Sequence, residues 1–392
     1  MRLPTEDSES PMAVSLFFCS EGFTIGGEPY PDLPLFLDTT TMSVHFLPTE
    51  WMIHLAVYNG RTRSAHTWRG YAYDLAQWLR FCEDRVWNWR SPMEEHLAHF
   101  RNSLEKHPAR YKRKTIAKKM VVLCSFYEWA AAAGYVKTLP VSFAATVRTT
   151  SNRTLLAHLE QRRITHRRVL VPRTSTSERI PRFFAVSERQ RFLAGLGDRD
   201  RLIVLWALYT GAREHELCAL EVDQIPPQSH YRSGKLYRLP LRVTKGNVPG
   251  DLYVPTFLLD ETYRYMKLFT RRSVARAAER RGKSVSNAIF LSRYGNGLKP
   301  DSLYRNFKKA LASAGIVDGT FHDLRHTYAI TMLDRLMLAA RTPEARVRNP
   351  LLALKILMRH ASLSSTEIYL RAREMYFDDI EHDSYEVPDV AA

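Results

Sequence analysis

The sequence predicts a mainly α-helical protein of two domains, with one small antiparallel sheet in the second. Three observations predict this. The chain has 392 residues, more than one compact core usually holds. Apolar residues recur at helical spacing over 61–140 and again beyond 187. Strand-like runs are short, and the clearest two flank the turn-forming Lys245-Gly-Asn247.

Residues 1–58 are punctuated by Pro and Gly around short apolar pieces, and are expected to be an N-terminal extension without an assignable role. A helical domain is expected over 59–143. There Tyr71, Leu75, Trp78 and Cys82 share one helix face, as do Ile116, Met120, Leu123, Tyr127 and Ala130, with Gly134 as a helix stop. The start and polar face of the later helix carry Lys112, Arg113, Lys114, Lys118 and Lys119 without a compensating carboxylate. Such a face is either solvated or phosphate-contacting. Residues 144–186 are expected to form a basic linker. It holds Arg162, Arg163, Arg167 and Arg168 as further phosphate-contact candidates, and Pro172 and Pro181 argue against one continuous helix. The second domain is expected over 187–377. It opens on a capping-box pattern, Ser187-Glu-Arg-Gln190, before an apolar helix through Leu202–Leu208. Strands at Leu236–Val243 and Leu252–Val254 and a mostly helical remainder follow, and residues 378–392 form an acidic tail.

Lys and Arg number 57 against 41 Asp and Glu, a formal charge of +16. That surplus favours a polyanionic partner, since each neutralised phosphate releases a condensed counterion. Acidic lipid would satisfy the same surplus. However, the sequence has no uninterrupted apolar stretch of membrane-spanning length, and its start lacks a basic region followed by an apolar one. Cys19, Cys82, Cys124 and Cys218 lie far apart without metal-ligand spacing, the pattern of reduced thiols in a cytosol. Double-stranded DNA is therefore the expected partner, with no membrane, and the location cytoplasmic, on the nucleoid when DNA-bound.

The second domain offers dispersed groups suited to a phosphodiester. Thr210-Gly-Ala-Arg213 places a guanidinium just beyond a Gly that ends an apolar helix. His322-Asp-Leu-Arg325 sets an imidazole and a second guanidinium one helical turn apart, with His360 and Tyr369 later in the chain. Taken singly, such an Arg is usually a surface or capping residue and such a Tyr part of a core. Together, over about 187–375, they resemble the tyrosine recombinases of the phage-integrase group. Thr210-Gly-Ala-Arg-Glu-His-Glu-Leu217 resembles the first arginine box, with Glu216 where the family has an acid that holds the arginine. Thr244-Lys-Gly-Asn247 is similar to the hairpin lysine motif, and Phe321-His-Asp-Leu-Arg-His-Thr-Tyr-Ala329 to the second box. Leu357-Met-Arg-His360 followed by Ser365-Thr-Glu-Ile-Tyr369 resembles the last, with the family's nine-residue offset from histidine to tyrosine.

The resemblance implies a core-binding SAM-like domain over the first helical region and a catalytic domain of the DNA breaking-rejoining fold. It implies that Tyr369 attacks phosphorus to form a 3′-phosphotyrosine bond, with His322 taking its proton. Arg213 and Arg325 would hold the nonbridging oxygens by charge-assisted bonds and stabilise the added charge of the transition state. Lys245 would protonate the leaving 5′-oxygen, and His360 would donate to the phosphate. The bond energy is conserved, so neither cofactor nor metal is expected. A monomer when free and a homotetramer on DNA are implied, with possible accessory DNA-bending proteins, and the length favours integration or excision of a mobile element over chromosome-dimer resolution.

Two departures stand out. Arg359 occupies a place where the family usually has Gly, so either the backbone there is not left-handed or Arg359 adds a phosphate contact. The stretch between Arg325 and His360 is also long, and reads as an insertion in a helix connection. Rival readings are a zinc hydrolase built on His322, His326 and His360, a DNA-binding regulator without catalysis, and a relaxing topoisomerase. Arg325 between the two histidines opposes a cation, the filled catalytic positions oppose the regulator, and the ordered boxes favour a recombinase. Tyr376 and Tyr385 lack the nine-residue offset. The acidic tail is expected to dock on a neighbouring subunit or to stay solvated.

Overall fold

The computed structural model describes residues 14–60, 64–107, 111–149, 162–174, 180–231, 236–244, 249–267, 270–341 and 347–381. The chain divides into two compact units, Met1–Thr176 and Ser177–Ala392.

In the first unit β1 (Val14–Phe18) pairs antiparallel with the later strand Pro34–Asp38, Val14 opposite Asp38. Between them a small hairpin joins β2 (Thr24–Ile25) to β3 (Glu28–Pro29), and Pro34–Asp38 is β4. The hairpin's two loop residues, Gly26 and Gly27, both sit at positive φ (59° and 87°), as a type I′ turn requires. Helices α1 (Phe46–Ile53), α2 (Ala65–Glu83), α3 (Glu94–Lys106) and α4 (Arg113–Ala132) follow, with a π-helical turn, His54–Tyr58, after α1.

The expected apolar faces lie inward. Leu75, Trp78 and Cys82 of α2 and all five named residues of α4 are buried, while Tyr71 is half-buried and stacks on Trp51. Two aromatic polar groups carried into this core pair in a chain. Trp78 Nε1 donates to Tyr127 Oη at 2.7 Å, which donates to the Trp89 carbonyl at 2.7 Å. Gly134, at φ 78°, follows the C-cap of α4.

Two boundaries differ from the sequence reading. Phe36, Trp51 and Met52 are fully buried in this same core, and Arg80 donates through Nε and Nη2 to the Val14 carbonyl. Residues 14–58 are thus integral to the first unit. The expected linker holds an antiparallel pair, β5 (Phe143–Thr149) with β6 (Arg162–Arg168), and buried Leu170 joins the first unit's core. Its prolines and charges concealed the β-branched residues Thr146, Val147, Thr149, Ile164 and Thr165, which favour strands.

The second unit contains α5 (Val186–Ala194), α6 (Asp198–Thr210), α7 (Glu214–Cys218), β7 (Leu236–Pro240) and β8 (Asp251–Pro255). Helices α8 (Thr256–Lys267), α9 (Thr270–Glu279), α10 (Pro300–Ser313), α11 (Phe321–Ala339), α12 (Pro350–Met358), α13 (Ser364–Met375) and α14 (Phe377–Glu381) complete it. Strands β7 and β8 pair antiparallel, Leu236 opposite Pro255. The expected turn, 245–247, lies outside the described residues. Helix α5 starts earlier than its pattern suggested, because the capping acid is Glu188, which accepts the Ala185 N–H at 3.2 Å. Helices α6 and α11 are buried on most sides and pack together, which explains their weak amphipathic signal. The stretch read as an insertion begins as the far end of α11, which runs to Ala339. No helix among the described residues is long and apolar enough to cross a membrane.

Candidate active site

Three chain turns meet around the N-terminal end of α11. Thr320 caps that helix, with Asp323 accepting from both the Thr320 N–H (2.7 Å) and its hydroxyl (2.8 Å). The opening turns of α11 then present His322, Arg325 and His326. The second turn is the end of α6, where Gly211 is left-handed (φ 62°). A Cβ on Gly211 would lie 2.4 Å from Tyr328 Cδ1, so only glycine fits this close crossing. The third is the end of α12. There the Arg359 N–H bonds to the Ile356 carbonyl and the His360 N–H to the Lys355 carbonyl, a Schellman motif.

Arg325 joins the three. Only 2% exposed, it donates through Nη1 to the Gly211 carbonyl and through Nη2 to the Met358 carbonyl. Burial, with Arg213 and Arg359 nearby, pulls its pKa down to about 9, so it stays charged at neutral pH. Arg213, at the N-cap of α7, donates Nη1 to Glu216 Oε1 at 2.9 Å and its backbone N–H to Glu216 Oε2 at 2.8 Å. The Glu216 side chain has no exposed surface. Burial alone would raise its pKa, but Arg359, the Arg213 N–H and the Arg213 charge outweigh that and hold the carboxylate below its ordinary value.

Arg359 is left-handed, at φ 52° and ψ 46°. The alternative of an ordinary backbone there is therefore overturned. Its guanidinium donates Nη2 to Glu216 Oε2 at 2.5 Å, so one carboxylate serves two arginines.

Tyr369 lies on α13, which is held to α11 by Arg373 Nε donating to Asp334 at 2.8 Å. The phenol is 2% exposed, and its oxygen is 2.9 Å from His326 Nδ1. The His360 ring lies nearly parallel to it, at 6.1 Å and 10°, with His360 Nδ1 3.0 Å from Thr366 Oγ1. Burial raises the Tyr369 pKa to about 12 against the opposing pull of Arg325 and Arg213. Burial likewise lowers His326 to about 4, and burial with Arg325 and Arg213 lowers His360 to about 4, so both imidazoles are neutral at pH 7.

Residues 174–375 match the phage integrase family, and residues 49–134 match the phage integrase N-terminal SAM-like domain. The chain belongs to the phage integrase family. The tyrosine recombinase XerA of Pyrococcus furiosus is 30% identical over 201 residues, covering 51% of this chain and 58% of that relative. XerC of Roseiflexus castenholzii is 24% identical over 322 residues, 81% of this chain and 85% of the relative. A lambda integrase fragment (residues 75–356) bound to DNA superposes with a TM-score of 0.51 at 13% identity, covering 87% of this chain and 98% of that one. The XerH recombinase in a post-cleavage complex with palindromic difH gives 0.50 at 16% identity, over 85% and 84%. At such identities the likeness is one of fold, and the fold is that of the tyrosine recombinases in the phage integrase family.

Of the site residues read from the sequence, Arg213, Glu216, Arg325, His360 and Tyr369 converge. Lys245 lies outside the described residues. His322 is exposed and sits edge-on to His326, ring centroids 4.7 Å apart, while the hydrogen bond to Tyr369 is made by His326. In sequence, His326 stands out only as a possible metal ligand. The missed signal was its place next to Arg325, one turn beyond His322 on the same face.

Among the DNA-contact candidates, Lys112, Arg113, Lys114 and Lys118 are exposed at the start of α4. Lys119 points inward instead, its Nζ 2.6 Å from Asp74, a carboxylate 45 residues away that a local reading of charge could not find. Arg168 forks onto Glu128 at 2.6–2.7 Å, and Arg167 donates to the Val171 carbonyl at 2.6 Å. The side chains of Arg162 and Arg163 lie outside the described residues.

Proposed function

We propose that this protein is a site-specific DNA recombinase that cleaves and rejoins strands through a 3′-phosphotyrosine bond to Tyr369. The observation that carries this reading is the placement of the Tyr369 hydroxyl, bonded to His326 and under the influence of the Arg213 and Arg325 charges. A phosphodiester repels a nucleophile because its nonbridging oxygens are negative. Arg213, whose side chain is 21% exposed, would take one such oxygen with the N–H groups that Glu216 leaves available. Arg325, fixed by two carbonyls, would contribute its charge with little reorganisation.

In the proposed step the Tyr369 O–H bond breaks and its proton passes to the His326–His322 pair. The tyrosine oxygen bonds to phosphorus, and the bond from phosphorus to the 5′-oxygen breaks. Lys245 would supply that oxygen's proton, and religation reverses each transfer. A phenol with a pKa near 12 beside a neutral imidazole is a resting arrangement, so the bound phosphate must complete the site before attack. The XerH structure, bound to its difH substrate, and the lambda integrase structure, bound to DNA, support DNA as the partner, here taken to be double-stranded. Assembly as a homotetramer on DNA, recombination of a mobile element and residence on the nucleoid belong to the same proposal.

The test is covalent trapping on a pool of nicked suicide duplexes with randomised core sequence. Wild-type protein should yield an adduct resistant to denaturant, and Tyr369→Phe should yield none. An adduct from Tyr369→Phe would refute the assignment of the nucleophile.

A further inference from the structure

Arg359 occupies the C′ position of a Schellman motif, at a positive φ where glycine would be unstrained. Its side chain is held rather than loose. It is 12% exposed, bonded to Glu216 Oε2 and within 3.4 Å of the Asp251 carbonyl. A Cβ on Gly250 would lie 2.8 Å from Arg359 Cδ, so the residue just before β8 also leaves room for this arginine. The contacts of the side chain offset the strain of the backbone.

The geometry assigns Arg359 as a positioning residue that shares Glu216 with Arg213 and ties the His360 turn to the Arg213 turn. This inference rests on the proposed recombinase reading. Its logic lies in the two oxygens of one carboxylate. Glu216 Oε1 takes Arg213 Nη1, while Oε2 takes the Arg213 backbone N–H and Arg359 Nη2. An arginine facing an unshared carboxylate closes a two-bond fork onto both oxygens. With Oε2 occupied, Arg213 is limited to one side-chain bond, and its remaining N–H groups stay available to a phosphate. The same ion pair sets where His360, the next residue, stands relative to Arg213. Arg359 therefore acts on the reaction through Arg213 and His360 and needs no contact with DNA.

The test compares wild type, Arg359→Gly, Arg359→Lys, Glu216→Gln and the Arg359→Gly/Glu216→Gln double variant. Adduct formation is followed on suicide duplexes from the trapped pool, as a function of duplex concentration, alongside thermal melting. Glycine fits the left-handed backbone, so Arg359→Gly should fold. Its maximal rate of adduct formation should fall 10-fold or more while the half-saturating duplex concentration changes less than 3-fold. Arg359→Lys should restore part of the rate. The two substitutions should be non-additive in rate, because each dissolves the same shared carboxylate. A maximal rate within 3-fold of wild type would overturn the inference, as would additivity. A raised half-saturating concentration at unchanged maximal rate would overturn it too, making Arg359 a phosphate contact instead. If wild type itself forms no adduct, the recombinase reading falls and takes the positioning role with it. An active wild type with an unaffected Arg359→Gly removes this inference alone.

Discussion

Two buried charge clusters, one in each unit, are built differently. In the first, Lys119 and Asp74 form a one-to-one pair at 2.6 Å, with side chains 11% and 10% exposed. In the second, Arg213, Arg325 and Arg359 surround the single carboxylate Glu216. A matched pair neutralises its own charge and calls for no further ion. An unmatched set leaves positive charge whose burial is costly until an anion arrives. The difference separates a structural ion pair from a site built to receive phosphate.

The largest expected effect follows from removing the anion in each case. Glu216→Ala should destabilise the second unit by about 4 kcal/mol and Asp74→Ala the first by about 3 kcal/mol, since each strands buried cations. Adding a DNA duplex should recover part of the first loss and none of the second, because phosphate can replace the missing carboxylate only where a site receives it. Thermal denaturation with and without duplex measures both, and an equal response to DNA would erase the contrast.

A smaller effect concerns acid. His326 is pushed down to about 4, below its ordinary 6.5. Between those values the unfolded chain binds a proton that the folded site refuses, so stability is full above pH 6.5 and falls as the pH drops towards 4. The His326 share is about 3 kcal/mol. His360 adds in the same direction but is more open to solvent. Denaturant unfolding at pH 7, 5.5 and 4.5 should show this slope in wild type and a shallower one in His326→Gln; matching slopes would contradict the neutral, half-buried imidazole.

The smallest effect compares two left-handed residues. Arg359 offsets its strain with an ion pair, whereas Val86, at φ 56° and 95% exposed, has no comparable burial. Val86→Gly should therefore stabilise the first unit by about 1 kcal/mol. A loss of stability in Val86→Gly would mean that the valine makes contacts its exposure does not suggest.

Much of the second unit's site was legible in the sequence because its residues sit in short local patterns. Arg213 and Glu216 form a cap three positions apart, and His360 with Tyr369 spans one turn and one helix. The partner of Tyr369 was not legible. His322 and His326 are equivalent in composition, and only the packing of α13 on α11 selects the second. The pairing of Lys119 with Asp74 and of Arg168 with Glu128 joins residues 45 and 40 positions apart, beyond any local count of charge. Strands β5 and β6 escaped notice because pairing, rather than propensity, decides whether a polar basic run becomes a strand.

The sequence alone determined the helical class, the small sheet at β7 and β8, the inward faces of α2 and α4, and the family to which the chain belongs. These depend on periodicity, turn residues and ordered short motifs, all of which are properties of neighbouring residues. The tertiary structure decided that residues 14–58 belong to the first unit's core and that Lys119 faces inward. It also decided that Arg359 turns its guanidinium onto Glu216 and that His326 holds the Tyr369 hydroxyl. The physical reason is common to all four: each depends on which distant groups burial forces together, and burial is a property of the folded chain.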